Sequence, residues 1–311
     1  MKKEEFYFDS RDGEHKIHAV RYMPDDDKVT CVVQIIHGMA EYMERYEEFA
    51  EFLTQKGILV TGEDHLGHGK TVAEDGSYGY FCEQDPATVV VRDVHRLKKM
   101  TESLYPNVPY VILGHSMGSF ILRNYLSRYG TGIDGAIIMG SGSLNGMVLS
   151  SAKLFLNIIQ LFRGGKYVCE TAEKVTTASY FDRIENPVTK VDWLCTRREV
   201  IDEYIKDELC GKPFTVNAFL TLLTLIKRMK KKSNVKKIPK NLPILVTSGT
   251  EDPVGEYGKA IDALVKTYKE HGIQNLTQIM YEGLRHEILN ETIREKVFGD
   301  VYNWTETVIN K

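Results

Sequence analysis

Residues 110–118 read Tyr110-Val111-Ile112-Leu113-Gly114-His115-Ser116-Met117-Gly118, an apolar, largely β-branched run that breaks at a glycine and passes through a serine into a helical pattern. This is G-x-S-x-G at a strand-to-helix turn. A serine there is held in a strained backbone conformation, at a cost of about 1–3 kcal/mol, with its Oγ projecting outward. Gly114 and Gly118 leave room for the backbone to close around it. His115 is too close in sequence to reach back to Ser116 as its base and is expected to support the turn.

Working outward, short β-branched runs alternate with longer helical patterns, the signature of a parallel sheet covered by helices on both faces. Strands are expected at Phe6–Asp9, Lys16–Tyr22, Cys31–Ile36, Ile58–Thr61, Tyr110–Leu113, Ala136–Met139, Ile244–Thr247 and Thr277–Tyr281. The first two have no helix between them and predict an antiparallel opening. Helices are expected near Met43–Lys56, Ala87–Leu104, Met117–Arg128, Tyr257–His271 and Glu291–Asn310. The fold class is therefore α/β, a mostly parallel eight-stranded sheet with an inserted helical cap. Its boundaries fall at 1–141 for the first part of the core, 142–241 for the cap and 242–311 for the second part.

A serine nucleophile requires a base and an orienting acid, in the chain order Ser…Asp…His. Asp252 lies just past the apolar strand Ile244–Thr247, and His286 just past Thr277–Tyr281. Both stand on loops at strand C-terminal ends, where open α/β sheets place their sites. Glu251 is the immediate rival for the acid, and Pro253 fixes the chain directly after Asp252. For the oxyanion hole the N–H of Met117 supplies one donor. His37-Gly38-Met39, immediately after the third strand, supplies the other through Met39 N–H. His65 and His68 are spaced as metal ligands but lie in a glycine-rich turn and read as structural. Glu41 and Arg45, four residues apart, read either as substrate contacts or, as an i,i+4 pair, as the brace of a helix start, and the brace is preferred. His286-Glu287 lacks the second histidine of H-E-x-x-H, so no metal site is indicated.

The chain has 311 residues, 42% hydrophobic and 27% charged, with a net charge of −3. That balance is that of an ordinary globular protein and argues against disorder, a fibrous repeat and a general nucleic-acid binder. No apolar targeting segment follows Met1-Lys2-Lys3, so a cytoplasmic location is expected. The five cysteines contain no C-x-x-C pair and read as reduced structural thiols.

With these residues in place, the sequence resembles the α/β-hydrolase superfamily, and within it the monoacylglycerol lipase and lysophospholipase-like serine hydrolases. The resemblance rests on His37-Gly38-Met39-Ala40-Glu41-Tyr42-Met43-Glu44-Arg45-Tyr46, on Asp64-His65-Leu66-Gly67-His68-Gly69-Lys70-Thr71, on the nucleophile turn, and on the Asp252 and His286 segments. The family often has His where Tyr42 stands and Ser where Thr71 stands. The resemblance implies a Ser116–His286–Asp252 triad, Met39 and Met117 as oxyanion donors, and hydrolysis of a lipid-like ester through an acyl-enzyme without a cofactor. An aromatic-acid ester, a thioester or a small peptide is the alternative substrate, since the same triad serves all of these. A ligand receptor without catalysis is the non-enzymatic alternative.

In the cap, Val148, Ala152, Phe155, Ile159 and Phe162 share one helical face, while Leu154, Ile158 and Leu161 widen the apolar surface beyond one stripe. With the second apolar helix, Ala218–Ile226, this surplus predicts an acyl-chain pocket in which Phe155 and Ile159 contact the substrate. Lys227–Lys240 holds eight Lys or Arg among 14 residues. It reads either as a transient contact with anionic membrane or as a solvated cap edge.

Overall fold

The computed structural model describes residues 1–26, 28–72 and 75–310. Its strands are β1 (Lys2–Asp9), β2 (Lys16–Met23), β3 (Cys31–Ile36), β4 (Ile58–Glu63), β5 (Tyr110–His115), β6 (Gly135–Met139), β7 (Ile244–Gly249) and β8 (Leu276–Tyr281). They form one sheet in the order β1-β2-β4-β3-β5-β6-β7-β8. The β1–β2 hairpin and the β2–β4 pair are antiparallel, and every later pairing is parallel.

The helices are α1 (Glu47–Thr54), α2 (Pro86–Leu104), α3 (Met117–Tyr129), α4 (Gly146–Arg163), α5 (Glu170–Thr177), α6 (Arg198–Lys206), α7 (Val216–Lys230), α8 (Lys232–Val235), α9 (Lys259–Glu270) and α10 (Arg294–Ile309). Two apolar layers hold them to the sheet. Val32 and Ile36 of β3 and Tyr110 and Ile112 of β5 point to the layer shared with α2, α3, α7 and α9. Their neighbours Val33, Ile35, Val111 and Leu113 point to the layer shared with α1 and α10. Alternate residues of a strand face opposite sides, so a strand covered on both sides must be apolar throughout.

Register sets the functional edge. Ile36 pairs with Gly114, His115 with Met139, and Gly249 with Tyr281. The chain therefore leaves β3, β5, β7 and β8 along one rim of the sheet.

Some boundaries differ from expectation. The expected helix Met43–Lys56 opens as a 3-10 turn over Met43–Tyr46 before α1 begins. α9 starts at Lys259 because Glu256, Tyr257 and Gly258 all have positive φ, and three left-handed residues cannot continue a right-handed helix.

Helices α4–α8 lie between β6 and β7, and they are not alike. α7 is capped by Thr215, whose hydroxyl accepts from Ala218 N–H, and it packs on α2, α3 and α4 as part of the main core. α4 buries only Leu149 and Leu156, while Met147 and Leu161 are each 80% exposed and Phe162 is 78% exposed. A smaller apolar cluster around Trp193, Leu194, Ile201 and Tyr204 covers the sheet rim. Among the described residues no helix is long and apolar enough to cross a membrane. All five cysteines are unpaired and buried.

Candidate active site

Ser116 sits where β5 ends and α3 begins, with φ +53° and ψ −121°, outside the comfortable regions for a side-chain-bearing residue. Its neighbours explain how the turn survives. A Cβ at Gly118 would collide with the carbonyl of Ile36, and one at Gly114 with the carbonyl of Gly118. Ser116 N–H donates to Met139 O at 3.0 Å, and the Ser119 hydroxyl donates to Ser116 O at 2.6 Å.

His286 follows β8 and Asp252 follows β7. Asp252 Oδ1 lies 2.9 Å from His286 Nδ1 and also accepts from Val254 N–H at 2.9 Å, while Ser248 Oγ donates to Oδ2 at 2.8 Å. Burial disfavours the carboxylate, but the charge and hydrogen bond of His286, with the donors of Ser248 and Val254, outweigh it and hold Asp252 below the usual carboxylate range. With Nδ1 committed to Asp252, the buried Nε2 of His286 has no hydrogen-bond partner among the described residues. Glu251 is 40% exposed and approaches Arg183 at 3.7 Å, away from the histidine.

Ser116 and His286 line one cavity of about 120 Å³, together with Met39 and Met117. The loop after β3 lies against the serine, since a Cβ on Gly38 would stand 3.1 Å from Ser116 Cβ. Gly38 N–H is taken by Glu41 Oε1 at 2.5 Å. The amides of Met39 and Met117 make no hydrogen bond among the described residues. His37 locks this loop from inside: its Nε2 accepts from His65 N–H at 3.0 Å, which leaves Nδ1 as donor to Gly38 O at 2.8 Å.

Beneath the cavity is a buried polar network whose extent the sequence does not show. Glu41 accepts from Gly38 N–H, from Tyr46 OH at 2.8 Å and from Arg45 Nη1 at 2.8 Å, and meets His115 Nδ1 at 3.2 Å. Arg45 also grips Glu287 with two hydrogen bonds of 2.8 Å, and His115 Nε2 reaches His286 O at 3.3 Å. Burial works against both charges of the Glu41–His115 pair. Their mutual hydrogen bond and attraction prevail, joined by the Arg45 charge on Glu41 and by the Glu287 charge on His115, so Glu41 is held far below and His115 above its usual value. The network ties the loop after β3, the serine turn and the histidine loop together; its sequence signals were the i,i+4 spacing of Glu41 and Arg45 and the place of His115 in the turn.

The glycine-rich Asp64–Thr71 turn is structural in its contacts. Asp64 accepts from Met43 N–H and Lys70 N–H, each at 2.9 Å, and Oδ2 lies 2.8 Å from His18 Nδ1. His65 and His68 pack beside His37. Among the described residues no group of three or more His, Cys, Asp or Glu side chains is arranged to hold a metal ion.

The cavity's remaining walls come from the segment between β6 and β7. Leu144, Leu222 and Ile226 form an apolar side with Phe120, while Tyr180 and Trp193 close over the histidine, the Trp193 ring 5.1 Å from His286. Phe155 and Ile159 are not among the lining residues, which corrects the expected acyl pocket. Phe155 is 47% exposed and Ile159 packs half-buried on the core. The surplus apolar surface of α4 points outward, because α7 takes the place next to the cavity.

The profile of the family described as serine aminopeptidase, S33 matches residues 27–293. The chain is 27% identical over 283 residues to the monoglyceride lipase homolog of Monkeypox virus, covering 88% of each chain. It is 26% identical over 291 residues to the monoglyceride lipase of Homo sapiens, covering 91% of this chain and 85% of the other. A thermostable carboxyl esterase from Bacillus coagulans, solved with glycerol, superposes with a TM-score of 0.92 over 99% of both chains at 27% identity. With the profile spanning most of its length, the chain belongs to the serine aminopeptidase, S33 family, as a monoacylglycerol-lipase-like α/β-hydrolase.

Proposed function

We propose that Ser116 is the nucleophile of a carboxylic-ester hydrolase whose substrates are lipid-like esters, monoacylglycerols or lysophospholipids. That the chain is an ester-hydrolysing enzyme follows from its family and its lipase and esterase relatives. The observation that carries the finer reading is the His286 clamp: Nδ1 is held by Asp252, and Nε2 is free beside the cavity that Ser116 lines.

In this scheme Ser116 Oγ attacks the ester carbonyl while His286 Nε2 takes its proton. Asp252 stabilises the imidazolium, and Met39 and Met117 N–H bind the developing oxyanion. The intermediate collapses with proton return to the leaving alcohol. Water, deprotonated by His286, then attacks the acyl-enzyme, releases the acid and restores Ser116. Phe120, Leu144, Leu222 and Ile226 form the wall for the acyl chain. Residues 142–241 act as a cap over it, and the exposed apolar face of α4 meets the lipid surface from which the substrate comes.

Ser116→Ala tests the reading. The variant should fold with an unchanged Tm, lose nearly all turnover of p-nitrophenyl esters, and no longer react with a fluorophosphonate. Stoichiometric labelling of Ser116→Ala would overturn the assignment.

A further inference from the structure

The Lys227–Lys240 tract does not form a uniform solvated edge. Arg228 and Lys237 line a cleft of about 540 Å³ with Arg128 at the end of α3 and with Ala87 and Thr88 in the first turn of α2. Arg228 is held in place, its Nη1 donating to Thr88 Oγ1 at 2.8 Å and its Nη2 to Asp85 Oδ1 at 2.9 Å. Arg128 rests over the Tyr129 ring at 5.4 Å. Neither Arg128 nor Lys237 makes a side-chain hydrogen bond or ion pair among the described residues.

The charges of the cleft are unbalanced. Among the described residues its lining holds three cations and no carboxylate. Asp85, paired with Arg228, offsets only one of them. The first turn of α2 brings the positive end of a 19-residue helix that Asp85 does not cap with its side chain, and the C-terminal ends of α3 and α7, at Arg128 and Arg228, bring partial negative charge that leaves the side-chain cations in excess. A ligand that neutralises two remaining positive charges must carry nearly two negative ones. A phosphomonoester, with about −1.5 to −2 at neutral pH, meets that requirement, and a carboxylate does not. Guanidinium groups also match phosphate oxygens in a bidentate geometry.

We propose that this cleft binds a phosphomonoester, free in solution or displayed as the headgroup of phosphatidic acid. The site is distinct from the candidate active site and independent of its chemistry. The two cavities share no lining residue, and Arg128 lies eleven residues along α3 from Met117, about 17 Å of helix. They share two helices: α3 begins at the serine turn, and α7 carries Leu222 and Ile226 on one cavity and Arg228 on the other. An anion in the cleft thus ties together the far ends of both.

The test compares the wild-type chain with Arg128→Gln/Lys237→Gln, whose two side chains have no hydrogen-bond or ion-pair partner to lose among the described residues. At tenfold above its dissociation constant, inorganic phosphate should raise the wild-type Tm by about 3 °C beyond acetate at equal ionic strength. The double variant should bind phosphate at least about tenfold more weakly and hydrolyse a short p-nitrophenyl ester at the wild-type rate. Cosedimentation with phosphatidylcholine vesicles separates the two sources. Retention above that on phosphatidylcholine alone that needs phosphatidic acid, is not met by phosphatidylserine and is lost in the variant assigns the lipid headgroup. Phosphate binding without such retention assigns a soluble phosphomonoester. A phosphate shift no larger than that of acetate, or one equal in the double variant, overturns the proposal.

Discussion

At the scale of single residues, the site turns on what each titratable side chain is allowed to be. Asp252→Asn keeps the shape but presents an amide where His286 Nδ1 needs an acceptor, so kcat should fall on the order of 10⁴-fold, as for the equivalent change in serine proteases. Glu251→Gln, on an exposed side chain directed at Arg183, should change kcat less than about twofold on the same scale. Steady-state kinetics on both variants decide, and equal losses would reject Asp252 as the orienting acid. A second prediction concerns pH. His68 is buried, and burial followed by the His37 charge pushes its pKa down to about 3. Folding thus favours the neutral ring. The stability this lends is present above about pH 6.5, where the unfolded histidine is also neutral, and is lost as pH falls from there towards 3. Burial pushes Asp93 up to about 7, which gives the opposite trend as pH rises through that value, so the test is a difference between two proteins. His68→Gln should remove up to about 1.4 kcal/mol per pH unit from the slope of stability below pH 6.5. Parallel slopes for variant and wild type in urea melts would refute it.

At the scale of elements, α4 and α7 divide the work that the sequence offered both of them. Each is apolar over more than one stripe. α7 uses that surface against α2, α3 and the cavity, whereas α4 leaves Met147, Leu154, Leu161 and Phe162 outward. An exposed apolar face on a helix not long and apolar enough to cross a membrane fits contact with a lipid surface. Leu161→Ser with Phe162→Ser should therefore leave the Tm and the hydrolysis of a soluble short ester unchanged. At roughly 1.5 kcal/mol or more per side chain withdrawn from lipid, vesicle binding should weaken more than tenfold. Cosedimentation with phosphatidylcholine vesicles measures it, and undiminished binding would remove α4 from the interface.

At the scale of the whole molecule, the loop after β3 and the loop after β8 are joined by a buried ion pair spanning 242 positions, Arg45 with Glu287. Removing one partner leaves a charge buried alone, at about 3–5 kcal/mol. Arg45→Met should then lower the Tm by roughly 10 °C in a chain of this size, and a scanning-calorimetry trace unchanged from wild type would show that the pair does not hold the rim together. This long-range closure marks the limit of the linear sequence. The strand runs were legible because a strand covered on both faces must be continuously apolar, and the serine turn because only glycine fits beside Ile36 O and Gly118 O. The positions of Asp252 and His286 followed from the rule that open sheets work at their strands' C-terminal ends. These are local constraints, each written in a few adjacent residues. What lines the cavity is not local. The periodicity of Val148–Phe162 records that the helix is apolar, but which face meets a neighbour depends on where α7 lies, and so Phe155 points outward while Leu222 and Ile226 reach the site. Likewise Glu41 and Arg45 look like a surface pair until packing buries them against His115 and Glu287. Sequence alone determined the sheet, the serine turn and the places of Ser116, Asp252 and His286 at the ends of their strands. Tertiary structure alone decided which apolar face, and which charges, the site uses, because burial is a property of neighbours that the chain brings together only when folded.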